Sequence, residues 1–414
     1  MMKEIVGAFF CMMLSFASIA QSPDTLSPDK KAMGSAQTAD SLSSEKKLRE
    51  KLLNDIEVSL DKKNSSFDST ITHINSRVDN LDSVLKTTTS VKEKADKLLE
   101  RVQALESRQK AVEQNELDIY KANYQSAVVN LISMDREIKP LLLFNSSREF
   151  FSDLNQAGNP MNYAGYKEWF AKFNNYAKEK KSEESLLAIT NNMLLFAGDN
   201  AQYVPVIGPI SSVLFAGMAT YVTSLSKRDK VLREESEKMI SLTMKVSQFD
   251  YDKGEIEHEW ELITDELMSL QSLYTKCLNS NLAMLKIDTT TFYTNFSTES
   301  DAEKRYQYLT SIRQKASDFV DTQRAAAPKD WKEAVYNQMN QVQSLKMRFG
   351  QITFRINENI YKYGGLFDKY KADPEIGAKM TDLQNKLVGL KEIFDKAFDP
   401  LDYINSATRM YKVS

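Results

Sequence analysis

The chain has 414 residues, 27% of them charged, with 54 Lys and Arg against 57 Asp and Glu and a net charge of −3. That balance leaves no basic footprint, so no nucleic-acid partner is expected. Of 2 cysteines, Cys11 lies in an N-terminal apolar run and Cys277 stands alone in the remainder, so no intrachain disulfide is expected.

Residues 1–20 read as a signal peptide. Lys3 supplies a positive start, 5–16 is apolar, and Ser18-Ile19-Ala20 places small residues at −3 and −1 before Gln21. Ala8-Phe9-Phe10 ahead of Cys11 is not the small-residue context of a lipoprotein cleavage site. The expectation is an exported protein, periplasmic or secreted. Residues 21–45 are rich in Ser, Pro, Asp, Lys and Ala and are predicted to form a disordered leader.

Residues 46–140 are predicted to be a long coiled-coil helix. Ile71, Ile74, Val78, Leu81, Val84, Thr88, Val91, Ala95, Leu98, Val102, Leu105, Gln109 and Val112 are spaced by threes and fours. Two adjoining threes near Leu81 and Thr88 read as a stammer. With no Gly or Pro between Ser35 and Pro140, the helix is expected over 66–139, stopping before that proline. It is either one strand of a coiled-coil dimer or the staff of an intramolecular bundle.

Residues 141–230 form a head region. Pro140, Gly158, Pro160 and Gly165 break its start, and Tyr166, Trp169, Phe170, Phe173 and Tyr176 follow on one helical face. An aromatic stripe at that spacing is core rather than a cofactor site. Next comes an apolar hairpin, 186–225, whose only charge is Asp199. Its first run includes Leu194, Leu195 and Phe196 and stops at Gly198-Asp199-Asn200. Its second carries Val206, Ile207, Ile210, Val213, Leu214, Phe215, Met218, Val222 and Leu225, closed by Lys227-Arg228. These residues are the candidates for contact with a membrane. About 20 apolar residues cross a bilayer core, and each strongly apolar one favours insertion by roughly 0.3–0.6 kcal/mol. Ser211, Ser212, Thr220, Thr223, Ser224, Pro205 and Pro209 oppose it, so transfer is marginal. The segment is either a conditional membrane element or a buried hairpin.

Residues 231–400 read as return helices of a bundle. Ile256, Trp260, Ile263, Leu267, Leu270, Tyr274, Cys277, Asn281 and Met284 keep a four-three alternation after an expected break near Tyr251-Asp252-Lys253-Gly254. Ser300 with Glu303 marks a capping box, and Asp330 can cap a helix through Val335, Met339, Val342, Leu345, Phe349, Ile352, Ile356 and Ile360. Gly364-Gly365 is expected to stop that helix, and Asp373-Pro374 to start another, which runs to Asp399-Pro400. Residues 401–414 are a tail. No period-two alternation occurs. The predicted fold is all-α, an elongated bundle of long helices with a mid-chain apolar hairpin head.

Catalytic chemistry is not legible. His258-Glu259 opens like a zinc-protease helix, but Leu262 occupies the second histidine position. His73, the other histidine, sits beside two seam residues and reads as solvated. No phosphate-binding glycine loop, CxxC pair or serine nucleophile elbow is present. No enzyme activity, cofactor or metal is expected.

An exported helical chain with a long first helix, a mid-chain apolar insertion between charged flanks, and further long helices resembles the cytolysin A-like α-helical pore-forming toxins. That group includes the haemolysin BL and non-haemolytic enterotoxin components. The resemblance implies an apolar head that packs on the bundle in water, then swings out and enters a target membrane while chains assemble as homo- or hetero-oligomers through their long helices. Here 186–197 and 204–225 would be the two limbs and 198–203 the tip. Pro205 and Pro209 restrict the helical part of the second limb to 210–225. Two other readings stand beside this one. One is a periplasmic scaffold whose hairpin is buried core, and the other is a chain that spans the inner membrane at 204–225.

Overall fold

The computed structural model describes residues 28–145, 148–179, 222–223, 230–408 and 411. Among them the fold is all-α, with no strand and several very long helices, as an elongated bundle requires. In chain order these are α1 (Pro28–Thr87), α2 (Val91–Asn145), α3 (Arg148–Ala157), α4 (Tyr166–Glu179), α5 (Lys230–Met284), α6 (Ala302–Ala326), α7 (Trp331–Tyr370), α8 (Gly377–Ala397) and α9 (Pro400–Thr408). At 1.5 Å per residue, α1, α2 and α5 are each about 80–90 Å long.

The expected single helix over 66–139 is two helices. Thr88-Thr89-Ser90 reverses the chain, and α1 and α2 pack side by side as a hairpin. The hydroxyls of Thr87 and Thr88 donate to the carbonyl of Val84, closing α1, and Ser90 Oγ accepts from Glu93 N at the start of α2. This is local side-chain capping without Gly or Pro. Ion pairs mark the antiparallel register outward from the turn: Asp82 with Arg101 at 2.5 Å, Lys63 with Asp118 at 2.6 Å, and Arg49 with Glu137 at 2.7 Å. The apparent stammer lies beside this reversal. Helix α1 also begins at Pro28, inside the segment expected to be a disordered leader, and its residues Glu45, Leu48, Arg49 and Leu52 are buried. Nor does Pro140 end the second helix. Helix α2 continues through it to Asn145, because burial of Ile138 and Leu141 offsets the lost backbone hydrogen bond.

Beyond the hairpin, α5 and α7 pair antiparallel. Asp252 meets Lys369 at 2.5 Å, Glu259 meets Lys362, and Glu266 meets Arg355 at 2.5 Å. Both expected breaks in these helices are absent. Helix α5 runs unbroken past Gly254, where buried Lys253 holds Asp250 and Glu257 of its own helix at 3.1 and 3.2 Å and Asn155 of α3 at 3.0 Å. Helix α7 runs past Gly364-Gly365 because Leu366, Phe367 and Tyr370 still have core to enter. The predicted seams of α5 and α7 are buried except at Trp260 and Met284, which are half-buried. Asp301, rather than Ser300, caps α6, accepting from Glu303 N and Lys304 N. The tail packs back: α9 lies on α7 where Gly350 leaves room, since a Cβ there would stand 2.9 Å from Ile404 Cγ1. Beyond α9, Asn123 pairs with the backbone of Tyr411 in both directions, at 2.9 and 2.8 Å.

Where these elements converge, the molecule buries charge. Arg49 of α1 donates to Glu137 of α2 at 2.7 Å and to Asp402 of α9 at 2.6 Å. Glu45, one turn earlier, pairs with Arg305 of α6 at 2.5 Å and Arg136 of α2 at 3.5 Å. Lys346 of α7 donates to Asn130 at 2.6 Å. Burial pushes the Glu137 carboxyl up against the pull of Arg49 and Lys346, and it pushes the Lys346 ammonium down, as does repulsion from Arg49. Removing one member of such a pair strands the other. Arg49→Met should therefore lower the unfolding free energy by about 3–5 kcal/mol, and adding Glu137→Leu should recover part of it; urea denaturation of the three chains measures both. Cys277 is buried, and burial, against a weaker pull from an Asn281 hydrogen bond, pushes its thiol up to about 11. At pH 8 a chromogenic disulfide reagent should leave the native thiol unlabelled and react with it promptly in denaturant.

Candidate functional site

The apolar segment enters and leaves the described structure through α4 and α5, and these two helices are pinned together. Tyr166, Trp169, Phe170 and Phe173 are buried, as their one-sided spacing predicts. Tyr166 Oη lies 3.0 Å from Thr243 Oγ1, Trp169 Nε1 donates to Ser236 Oγ at 2.8 Å, and Lys172 meets Glu235 at 3.4 Å. Contacts that ascend α4 descend α5, so the helices are antiparallel. The end of α4 at Glu179 and the start of α5 at Lys230 therefore lie at the same end of the pair. Ser236 and Thr243 each pass their own hydroxyl proton to a carbonyl of α5, at 2.7 and 2.8 Å, which leaves their oxygens free to accept from the aromatic partners. Burial pushes the Tyr166 phenol up, more than its bond to Thr243 lowers it, so it stays protonated as a donor. Rings support one another along α4, with Trp169 and Phe173 stacked at 5.7 Å between centroids. In the preceding connection Gly165 takes a φ of +78°, a left-handed conformation that admits glycine most readily.

Of the candidate membrane residues, Leu194, Leu195, Phe196, Val206, Ile207, Ile210, Val213, Leu214, Phe215, Met218 and Leu225 lie outside the described residues. Val222 is helical and half-buried. The signal peptide also lies outside them. Among the described residues no helix is long and apolar enough to cross a membrane, and no cluster of His, Cys, Asp and Glu could hold a metal ion. Both His73 and His258 are exposed, and His258 has Glu261 at 3.8 Å.

Below the α4–α5 pair, the mount is clasped to the end of α7. Lys245 of α5 reaches both Asp373 and Glu375, each at 2.8 Å, and Ser241 donates to Glu375 at 3.2 Å. Asp373 also accepts from the backbone of Glu375 and Ile376 ahead of α8. Partial burial raises the Asp373 carboxyl, but Lys245 and the two backbone donors outweigh it and hold the group below the ordinary carboxylate range. Asp252 is lowered in the same way by Lys369, Tyr370 and Gln248 against its burial. Sequence reasoning found the aromatic stripe but not its polar partners, because Ser236 and Thr243 look like ordinary helical residues. A groove lies farther along the body, a 280 Å³ cavity bordered by Arg49, Glu57, Asn130, Asp402 and Tyr411.

A carboxylate whose folded pKa is depressed stabilises the fold above its unfolded pKa, and that contribution is lost as pH falls through the folded value. The stability that Asp373 and Asp252 contribute should therefore be complete above about pH 5 and be lost below about pH 4. Asp373→Asn should be less stable than wild type at pH 7 and should lose less on acidification, an outcome read from urea titrations across that range.

No family model, curated protein or solved structure matches the chain.

Proposed function

We propose that the chain is an exported, membrane-active protein whose apolar segment 186–225 enters a lipid bilayer conditionally, in the manner of a pore-forming toxin component. One observation carries this reading. The segment is inserted between antiparallel helices held side by side by Tyr166–Thr243 and Trp169–Ser236, so it leaves and returns at a single place. A hairpin launched from such a mount can move as a unit while the bundle stays folded. Composition supports the reading too, since 186–225 carries one charge in a chain that is 27% charged. Marginal transfer energy keeps the sheltered and inserted states within a few kcal/mol, as a conditional switch needs. No catalytic group or cofactor is assigned; the function is mechanical and interfacial.

Dye release from liposomes by the purified chain tests this. Wild type should permeabilise vesicles. Val213→Asp or Phe215→Lys, each costing about 2.5–3.5 kcal/mol at mid-bilayer, should abolish release while surface binding persists in flotation assays. If wild type releases nothing, alone or with the products of neighbouring genes, the pore-forming reading is overturned.

A further inference from the structure

The α1–α2 hairpin projects beyond the body as an arm. Outward from Asp61 on α1 and Gln114 on α2, only Leu81 and Ala104 are buried, and the arm is about 40 Å long. Its two helices do not meet through the best apolar face of α2. The α2 residues turned to α1 are Lys97, Arg101, Ala104, Ala111 and Asn115, which are buried or half-buried, and Arg101 reaches across to Asp82. Leu98, Val102, Leu105 and Val112 each follow one of those residues, a rotation of about 100° around the helix. Their seam consequently lies on the flank: Leu98 is 51% exposed, Val102 49% and Val112 43%, with Leu99 beside them at 59%, while Leu105 is half-buried.

We infer that this seam is a dimerisation element, on which a second copy of the chain packs through its own α2, parallel and in register. The seam's chemistry is complementary to itself in that arrangement. From Val91 to Val112 it keeps the four-three spacing of a coiled coil, with Val91, Leu98, Leu105 and Val112 at d positions and Ala95, Val102 and Gln109 at a positions. Leu at d with a β-branched residue at a favours two parallel strands, and a lone polar residue at a fixes register. Gln109 is that residue, and it faces its own counterpart only when the strands are parallel and aligned. The flanks agree. Arg101 and Arg108 occupy g positions, and Glu106 and Glu113 the e positions of the following heptads. A parallel pair thus sets Arg108 against Glu113 of the second copy on both sides, while Arg101 stays with Asp82 of its own α1. An antiparallel pair would oppose g to g and bring Lys94, Arg101 and Arg108 together. Arg108, Glu106 and Glu113 are exposed, and Glu113 accepts from Gln109 at 3.0 Å. This surface acts in water and does not depend on the membrane reading.

Sedimentation equilibrium on the full chain, without lipid, is the test. Wild type should be a dimer at micromolar concentration. Val102→Asp, a change on a surface open in the monomer, should weaken dimerisation by at least about tenfold with an unchanged helical circular dichroism spectrum. Arg108→Glu and Glu113→Arg should each weaken it alone and restore it when mixed one to one. A wild type that stays monomeric, or a dimer indifferent to Val102→Asp, overturns the seam. Charge variants that fail to rescue one another overturn the parallel register.

Discussion

Five helices meet at the buried charges around Glu45 and Arg49, and the axial placement of α1, α2, α6, α7 and α9 depends on their pairing. Burying ions costs several kcal/mol each, and the cost is repaid only by close, well-directed contacts. An arrangement of this kind contributes little net stability and a great deal of register. Arg49 can satisfy Glu137 and Asp402 together only when α1, α2 and α9 stand at one axial setting. Glu45 imposes the same condition on α6 through Arg305. Apolar seams spaced by threes and fours are nearly indifferent to a slide of one heptad, whereas these pairs are not.

The same cluster explains an otherwise odd piece of topology between α5 and α6. After Met284 the chain doubles back through a short turn and a π-helix over Tyr293–Ser297 before α6 sets off again. Arg136 donates to the carbonyls of Phe296, Ser297 and Glu299, and Arg305 joins it on Glu299 at 2.8 Å. Two arginines thus gather the loose carbonyls of the turn while their other nitrogens face Glu45. With Phe292 and Phe296 fully buried beneath it, the turn is a fixed part of the body.

Much of this was legible in the sequence, and the misreadings have physical causes. The seams of α5 and α7 and the aromatic face of α4 were found because burial and periodicity coincide there. The reversal at Thr88 was missed because Val84, Thr88 and Val91 preserve helical spacing across it, so periodicity runs on where the chain turns. Gly254, Gly364 and Pro140 signalled ends, yet each penalty of about 1–3 kcal/mol is small beside the burial on either side. The burial of Glu45 and Arg49 carries no signal in the sequence, since no pattern of one strand reveals that five helices will close over it. The apolar segment stood out by composition alone, whereas the serine and threonine that help mount it carry no signal before the fold brings them to Trp169 and Tyr166.

Arg49 and Asp402 are 353 residues apart in the chain and 2.6 Å apart in the fold. At about 5–20 residues per second, a ribosome takes roughly 18–70 s to make Asp402 after Arg49 has emerged. Throughout that interval the N-terminal hairpin can form, but its arginine has no complete set of partners and α7 has no α9 to lie against Gly350. The native body is therefore closed to the nascent chain until α9 has been made, and a partner that holds unfolded chains has that whole interval in which to act.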